Sequence, residues 1–210
     1  MRIFITGTDT NVGKTTVSSW LASYYNFNYW KPIQSGEDNG LSDTEFLKKV
    51  CHNNQNIEIF DPIYSFKEPL SPHLAAKINK EEIDLSKIIH CKPKKEKLLI
   101  EGAGGIFTPL NEKFLMIDLI EIFEIPTIII ARSSIGTINH TLLTIEALRE
   151  RNIKILGVIM NGEKNFENKK AIEFYGKTKV LFEFPKLNGE INLQIQNLKS
   201  ENIFLDTMLY

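Results

Sequence analysis

Gly7-Thr8-Asp9-Thr10-Asn11-Val12-Gly13-Lys14-Thr15-Thr16 is the stretch on which the reading of this chain turns. An apolar, β-branched run from Arg2 to Thr6 precedes it, and apolar residues at three and four spacing follow from Thr15 to Tyr25. The pattern predicts a strand, a glycine-bounded loop and an amphipathic helix, in that order. Consecutive backbone N–H groups in such a loop, with the positive end of a helix dipole behind them, can surround a polyphosphate. Lys14 would reach the outer phosphates, and the Thr15 hydroxyl would ligate Mg²⁺. Counted from Gly7 the spacing is one residue off the usual G-x4-G-K-[ST], and Thr8 stands where the first glycine is usual. The order strand, Gly-Lys-Thr, helix still marks a P-loop.

Outward from this loop the chain alternates. Further short apolar runs, Tyr29 to Ile33, Lys97 to Glu101, Thr127 to Ala131, Lys154 to Met160 and Lys179 to Phe182, predict strands. Between them Asp43 to Cys51, Glu81 to Ile89, Asn139 to Arg151 and Asn168 to Tyr175 carry helical spacing. Ile128-Ile129-Ile130 and Ile155 to Met160 are apolar at successive positions, as strands covered on both faces require. The expected fold is therefore α/β, with three layers and a mostly parallel sheet flanked by helices, of the P-loop NTPase type. At 210 residues, with no internal repeat and no linker-like stretch, a single domain over 1–210 is expected.

Composition narrows the function classes. The chain is 42 % hydrophobic and carries 25 Lys+Arg against 26 Asp+Glu, so no global charge draws it to nucleic acid or anionic membrane. The basic cluster Lys92 to Lys97 contains Pro93 and Glu96 and reads as a solvated turn. Cys51 and Cys91 show no paired spacing, which excludes a disulfide framework and a zinc ribbon and fits a reducing cytoplasm. The opening apolar run is too brief for a signal peptide. The greasy segment Phe114 to Ala131 is interrupted by Asp118, Glu121 and Glu124, so no membrane span is expected there.

A P-loop needs an acidic partner for its metal, normally at the end of a neighbouring buried strand. Glu101, in Leu98-Leu99-Ile100-Glu101-Gly102-Ala103-Gly104-Gly105, fits, and the glycines behind it would let backbone approach the phosphates. Asp43 is a second candidate, although an acid favoured at a helix start accounts for it as well. Lys31, in Lys31-Pro32-Ile33-Gln34-Ser35-Gly36, could hold an anion of a second substrate, with Ser35 adding a hydrogen bond; an exposed loop lysine is an equal reading. Ser134 to Asn139 leads into a helix whose free N–H groups could take a carboxylate, or which Thr137 or Asn139 simply caps. His73 reads as structural.

Taken together, GTDTNVGKT, KPIQSG, a downstream SD, EPLSPHLAA, EGAGGIFTPL, SSIGTINHTLLTIEAL and VIMNG resemble the dethiobiotin synthetases, from the N-terminus to about Asn161 and more weakly to Pro185. The resemblance implies a homodimeric ligase of biotin biosynthesis that closes a cyclic urea on 7,8-diaminopelargonate with CO₂ or bicarbonate, ATP and Mg²⁺. It implies Lys31 and Lys14 as catalytic residues, and Thr15, Asp43 and Glu101 as metal ligands. Nucleotide binding falls to Asn11, Val12, Gly13, Lys14, Thr15, Thr16, Asp43, Glu101, Gly102, Ala103, Gly104 and, around the purine, Asn161, Pro185, Lys186 and Leu187. The substrate would meet Thr10, Lys14, Lys31, Ser35 and Gly104, with Gly136, Thr137, Ile138 and Asn139 reaching its carboxylate from the neighbouring subunit. Nucleic acid and membrane are not among the implied partners. The sequence departs from the family at Asn11, where many members hold Glu, and the tail from Asn188 to Tyr210 carries no recognisable segment of the family pattern. Partitioning ATPases share the expected fold and often carry an extra lysine early in the loop, where this chain has Asp9; no N-K-x-D sequence suggests a GTPase.

Overall fold

Strand β1 (Arg2–Gly7) is buried from Ile3 onward, as its continuous apolar run demands of a strand covered on both faces. The computed structural model describes residues 1–36, 40–199, 206, 207 and 209. Helix α1 (Lys14–Tyr25) leads from the P-loop to β2 (Asn28–Trp30), β3 (Ile33–Ser35), α2 (Asp43–Val50), β4 (Ile59–Phe60) and β5 (Tyr64–Phe66). Then come α3 (Pro72–Ile78), α4 (Leu85–His90), β6 (Leu98–Gly105), α5 (Met116–Phe123) and β7 (Thr127–Arg132). The chain finishes with α6 (Thr137–Glu150), β8 (Ile155–Asn161), α7 (Phe166–Gly176), β9 (Val180–Phe184) and α8 (Ile191–Asn197).

Among the described residues, seven strands form one parallel sheet in the order β4-β2-β6-β1-β7-β8-β9, while β3 and β5 pair apart from it. On one face Trp20 and Leu21 of α1, Leu47 of α2 and Ile195 of α8 pack over Ile3, Ile5 and Leu99. On the other, Ala75 of α3, Ile88 of α4, Ile120 of α5, Leu148 of α6 and Ile172 of α7 cover Phe4, Ile100 and Ile129. The three-layer expectation holds. From β1 the chain steps over β6 to reach β2, and from β6 it steps over β1 to reach β7. The strand order thus switches at β1 and β6, and ligands of parallel sheets sit beyond the strand ends at such a switch.

Several boundaries differ from the sequence reading. The strand expected over Tyr29 to Ile33 stops at Trp30 and resumes as β3 in the smaller sheet, with Lys31 and Pro32 between. Pro32 has no N–H to give a ladder, and its carbonyl accepts from Ile63 N and Tyr64 N instead, at 2.9 and 3.1 Å. The helix expected from Glu81 starts only at Leu85, because Asp84 caps it through Ser86 N at 2.8 Å. β6 runs past Glu101 through the glycines to Gly105, with a register shift against β1 between Ile5 and Gly7. Helix α6 begins at Thr137 with Gly136 as its N-cap, and neither Thr137 nor Asn139 supplies a side-chain cap. β4, β5, α3, α5 and α8 were not anticipated.

Three lysines of the basic cluster lie over aromatic rings: Lys92 over Phe123 at 4.8 Å, Lys95 over Phe60 at 5.9 Å and Lys97 over Phe27 at 5.0 Å. Their ammonium groups sit over ring faces, and Lys95 Nζ also pairs with Glu58 Oε2 at 2.8 Å, so these lysines of the run are engaged with the protein's own side chains. The tail also has a place. Gln196 Nε2 donates to Val50 O at 2.7 Å, Trp20 Nε1 to Leu198 O at 3.0 Å, and the Tyr25 hydroxyl to Asp206 Oδ1 at 2.7 Å. Cys51 is buried and Cys91 exposed, both as free thiols. No helix among the described residues is long and apolar enough to cross a membrane.

Candidate active site

The loop after β1 is tied down on both sides. Thr8 N donates to Ile130 O of β7 at 2.9 Å, and Gly7 pairs with Gly105 of β6. Gly13 has φ +91, and a Cβ there would lie 2.0 Å from Asn161 Nδ2, so only glycine fits between the loop and β8. The same Asn161 Nδ2 donates to Val12 O at 3.0 Å. Lys14 is 7 % exposed and its Nζ donates to Asp9 O at 3.0 Å, folding the side chain back along the loop. Burial and the charge of Lys31 lower the Lys14 pKa to about 8, against the pull of Glu101, Asp43 and Asp9.

Beneath the start of α1 the charged side chains converge. Glu101, fully buried on β6, accepts from Ser18 Oγ at 2.7 Å and from Lys31 Nζ at 3.2 Å. Thr15 Oγ1 lies 2.8 Å from Asp43 Oδ1 and 2.9 Å from Glu101 Oε1. Lys31 Nζ also donates to Asp43 Oδ2. Burial alone would lower the Lys31 pKa, but the carboxylates of Glu101 and Asp43 outweigh it and raise it. Burial would likewise raise Asp43, yet Lys31, the Thr15 hydroxyl and Lys14 hold it below the usual carboxylate range. The Tyr29 phenol is buried toward this cluster, and burial together with the charges of Glu101 and Asp43 pushes its pKa well up.

Local sequence explains the convergence. Ser42 caps α2 in a reciprocal box with Glu45, which leaves Asp43 as the first helical residue. The Asp43 amide donates to Gln34 Oε1 at 3.3 Å, and Gln34 Nε2 donates to Gly36 O at 2.6 Å, so β3 and α2 are held together beside the loop. Lys31 leaves the sheet at the Pro32 break, which frees its side chain to reach Glu101 on the adjacent strand. Lys14 and Thr15 at the start of α1, Lys31 after β2, Asp43 on α2 and Glu101 on β6 are thus assembled from four separate points of the fold. Ser18 and Gln34 were not foreseen. Ser18 stands three residues beyond Thr15 and therefore on the same helix face, a usable signal; Gln34 gave none beyond its place in KPIQSG.

Other candidates lie apart or in a different setting. Ser35 is half-buried at the end of β3. Gly102 would place a Cβ 2.9 Å from Phe4 Cε1 and 3.1 Å from Met116 Sδ, so its missing side chain serves core packing. Ala103 is buried and Gly104 turns beneath Thr108. Pro185, Lys186 and Leu187 line an open cleft of about 360 Å³ with Leu193 and Leu198 of the tail. Asn11 and Thr10 are exposed on the loop, and Thr16 is half-buried at the start of α1. No hydrogen bond or ion pair among the described residues joins Gly136, Thr137, Ile138 or Asn139 to the loop or to Lys31.

The donor set suits a small hard cation. The Thr15 hydroxyl at the start of α1 lies within hydrogen-bond distance of both the Asp43 and the Glu101 carboxylates. Mg²⁺ is commonly held by one or two carboxylates plus phosphate and water oxygens. No larger cluster of His, Cys, Asp or Glu competes for a metal among the described residues.

A family profile described as an AAA domain matches residues 1–192. The cell division ATPase MinD of Pyrococcus furiosus superposes with a TM-score of 0.57 at 15 % identity, covering 99 % of this chain and 95 % of that one, a likeness of fold alone. A protein of Lawsonia intracellularis named ATP-dependent dethiobiotin synthetase is 46 % identical over 198 residues, 94 % of either chain. One of Paramagnetospirillum magneticum with the same name is 48 % identical over 186 residues, 88 % of either chain. With identity of that order over most of both chains, the chain belongs to the ATP-dependent dethiobiotin synthetase family.

Proposed function

We propose that the chain, as one synthetase domain in the cytoplasm, converts 7,8-diaminopelargonate, CO₂ and ATP to dethiobiotin, ADP and phosphate. One substrate amine adds to CO₂ and loses a proton to give a carbamate. A carbamate oxygen then attacks the γ-phosphorus, ADP leaves, and a carbamoyl phosphate results. The second amine attacks its carbonyl carbon, phosphate leaves, and the urea ring closes.

The observation that carries this reading is the meeting of Lys31 with Glu101 and Asp43 beside Thr15, a few residues from Lys14. Bringing a carbamate to a triphosphate concentrates negative charge, and fixed cations that need no reorganisation are the effective remedy. Lys14 supports the phosphates from within the loop. Lys31, held charged by two carboxylates, faces the transferring phosphoryl group and the carbamate. Thr15, Asp43 and Glu101 would hold Mg²⁺, which when bound screens charge on the phosphate oxygens. Asn161 and the cleft at Pro185, Lys186 and Leu187 receive the purine.

Gly136 to Asn139 open α6 at the end of the loop after β7, and in the family resemblance they reach the substrate carboxylate from the neighbouring subunit of a homodimer, completing its site. Ile135, 99 % exposed beside them, and Leu143, 61 % exposed on α6, are apolar surface for such a contact. Incubation of the purified protein with diaminopelargonate, bicarbonate, Mg²⁺ and ATP, followed by mass analysis, tests the reaction. Dethiobiotin formation that needs all four components is expected; nucleotide hydrolysis indifferent to the diamine and bicarbonate would overturn it.

A further inference from the structure

Arg132 ends β7 at the rim of the P-loop, opposite Asn161 in the sheet register. Its Nη2 donates to Asp9 Oδ2 at 2.7 Å. Asp9 is where the shape of the loop is set: Oδ1 accepts from the Thr10 amide at 2.7 Å, and its backbone oxygen accepts from Lys14 Nζ at 3.0 Å. A side chain on Gly7 would come within 2.8 Å of that same oxygen, so the loop closes tightly here. Yet an acid at the mouth of a cup for polyphosphate opposes its ligand by like charge. The two side chains are 39 and 48 % exposed, and half-solvated pairs of this kind add little to folding stability. Their value must lie elsewhere.

We propose that Arg132 is a positioning residue of the nucleotide site: it neutralises Asp9 and fixes it, so that Asp9 orders the Thr10 amide and the Lys14 side chain without repelling the triphosphate. The inference rests on the reading of the loop as a nucleotide cup. It assigns Arg132 no contact with the phosphates. Removing Arg132 alone exposes the Asp9 charge to the ligand; removing both charges abolishes the penalty.

The test is a titration of a fluorescent ATP analogue, with Mg²⁺, into the wild-type protein, Arg132→Met, Arg132→Lys, and the double variant Asp9→Asn with Arg132→Met. Arg132→Met is expected to weaken binding about tenfold at low ionic strength and less at high salt. In turnover the KM for ATP rises by a similar factor, while kcat at saturating nucleotide stays within about threefold. Arg132→Lys retains most of the affinity, and the double variant returns to within about threefold of wild type. A merely structural role would leave the double variant no better than the single one, which overturns the proposal, as does an Arg132→Met protein that binds like wild type. A wild-type protein that takes up no nucleotide overturns both this inference and the reading beneath it; uptake by wild type with no change in the variant overturns this inference alone.

Discussion

Replacing Lys31 by Met separates the chemistry from the binding in one step. Lys31 is 5 % exposed, its ammonium donates to both Asp43 and Glu101, and Glu101 is fully buried. Methionine keeps most of the length of the side chain but removes the charge, leaving the two carboxylates without their shared cation. Breaking a buried pair by removing one partner costs about 3 to 5 kcal/mol, a large share of the ~5–15 kcal/mol that holds a domain folded. For a chain of this size about 1 kcal/mol moves the melting temperature by roughly 2 to 4 °C, so a fall of about 6 to 20 °C is expected. A second substitution, Asp43→Asn, should recover part of that fall, because the two sites share one charge cluster and are not additive. Turnover should not recover: loss of a fixed donor to the transition state costs about a hundredfold to a thousandfold in kcat. Nucleotide titration should change by less than about tenfold, since the Met variant still has Lys14 and the loop amides. The assays are thermal denaturation, dethiobiotin formation and nucleotide titration on the same preparations. A Lys31→Met protein that melts within about 2 °C of wild type, or keeps kcat within about threefold, would refute the reasoning.

Other outcomes follow from the same geometry. Gly13→Ala puts a side chain on a left-handed residue, at a cost of about 1 to 2 kcal/mol, and drives it into Asn161; nucleotide titration should show binding abolished with the far-UV spectrum unchanged. Lys14 has a folded pKa of about 8, below its unfolded value, so the folded chain holds fewer protons across the interval above pH 8. This group therefore adds stability as pH rises through that interval and loses it as pH falls through the folded value, while triphosphate binding, which favours the charged amine, should take up a proton at about pH 8.5 in calorimetry with buffers of different ionisation enthalpy. Mixing Lys31→Ala with Asn139→Ala chains, each inactive alone, should restore up to about a quarter of wild-type turnover, because half the dimers are then hybrids with one intact site. No recovery on mixing would count against a shared site.

The central strand, the loop and the buried acid could be read from the sequence because each carries a strong local signature. Ile3-Phe4-Ile5 has no polar face, Gly13-Lys14-Thr15 needs a specific backbone, and Glu101 ends an apolar run beside glycines. What escaped notice depends on contacts between distant segments. Ile59-Phe60 and Tyr64 to Phe66 are too short for periodicity to register, and the strand through Lys31 divides because Pro32 cannot continue the ladder. Ser18 reads as one of several small polar residues of α1 until Glu101 is seen to accept its hydrogen bond. Arg132 lies just past the strand expected over Thr127 to Ala131 and becomes informative only through Asp9. The site residues near Lys31 were legible as types, and their mutual arrangement was not.

The anchoring of Trp20 by Leu198 has a consequence for how the chain is made. These residues are 178 positions apart, and at about 5 to 20 residues per second a ribosome needs roughly 9 to 36 s to deliver the second after the first. Phe182, on which the indole stacks with centroids 4.7 Å apart in the finished protein, is also made late, so for most of that interval the indole has only Tyr24 and Tyr25 of its own helix as aromatic neighbours. The segment made first is thus among the last to be sealed, its aromatic side resting until then on local packing within α1.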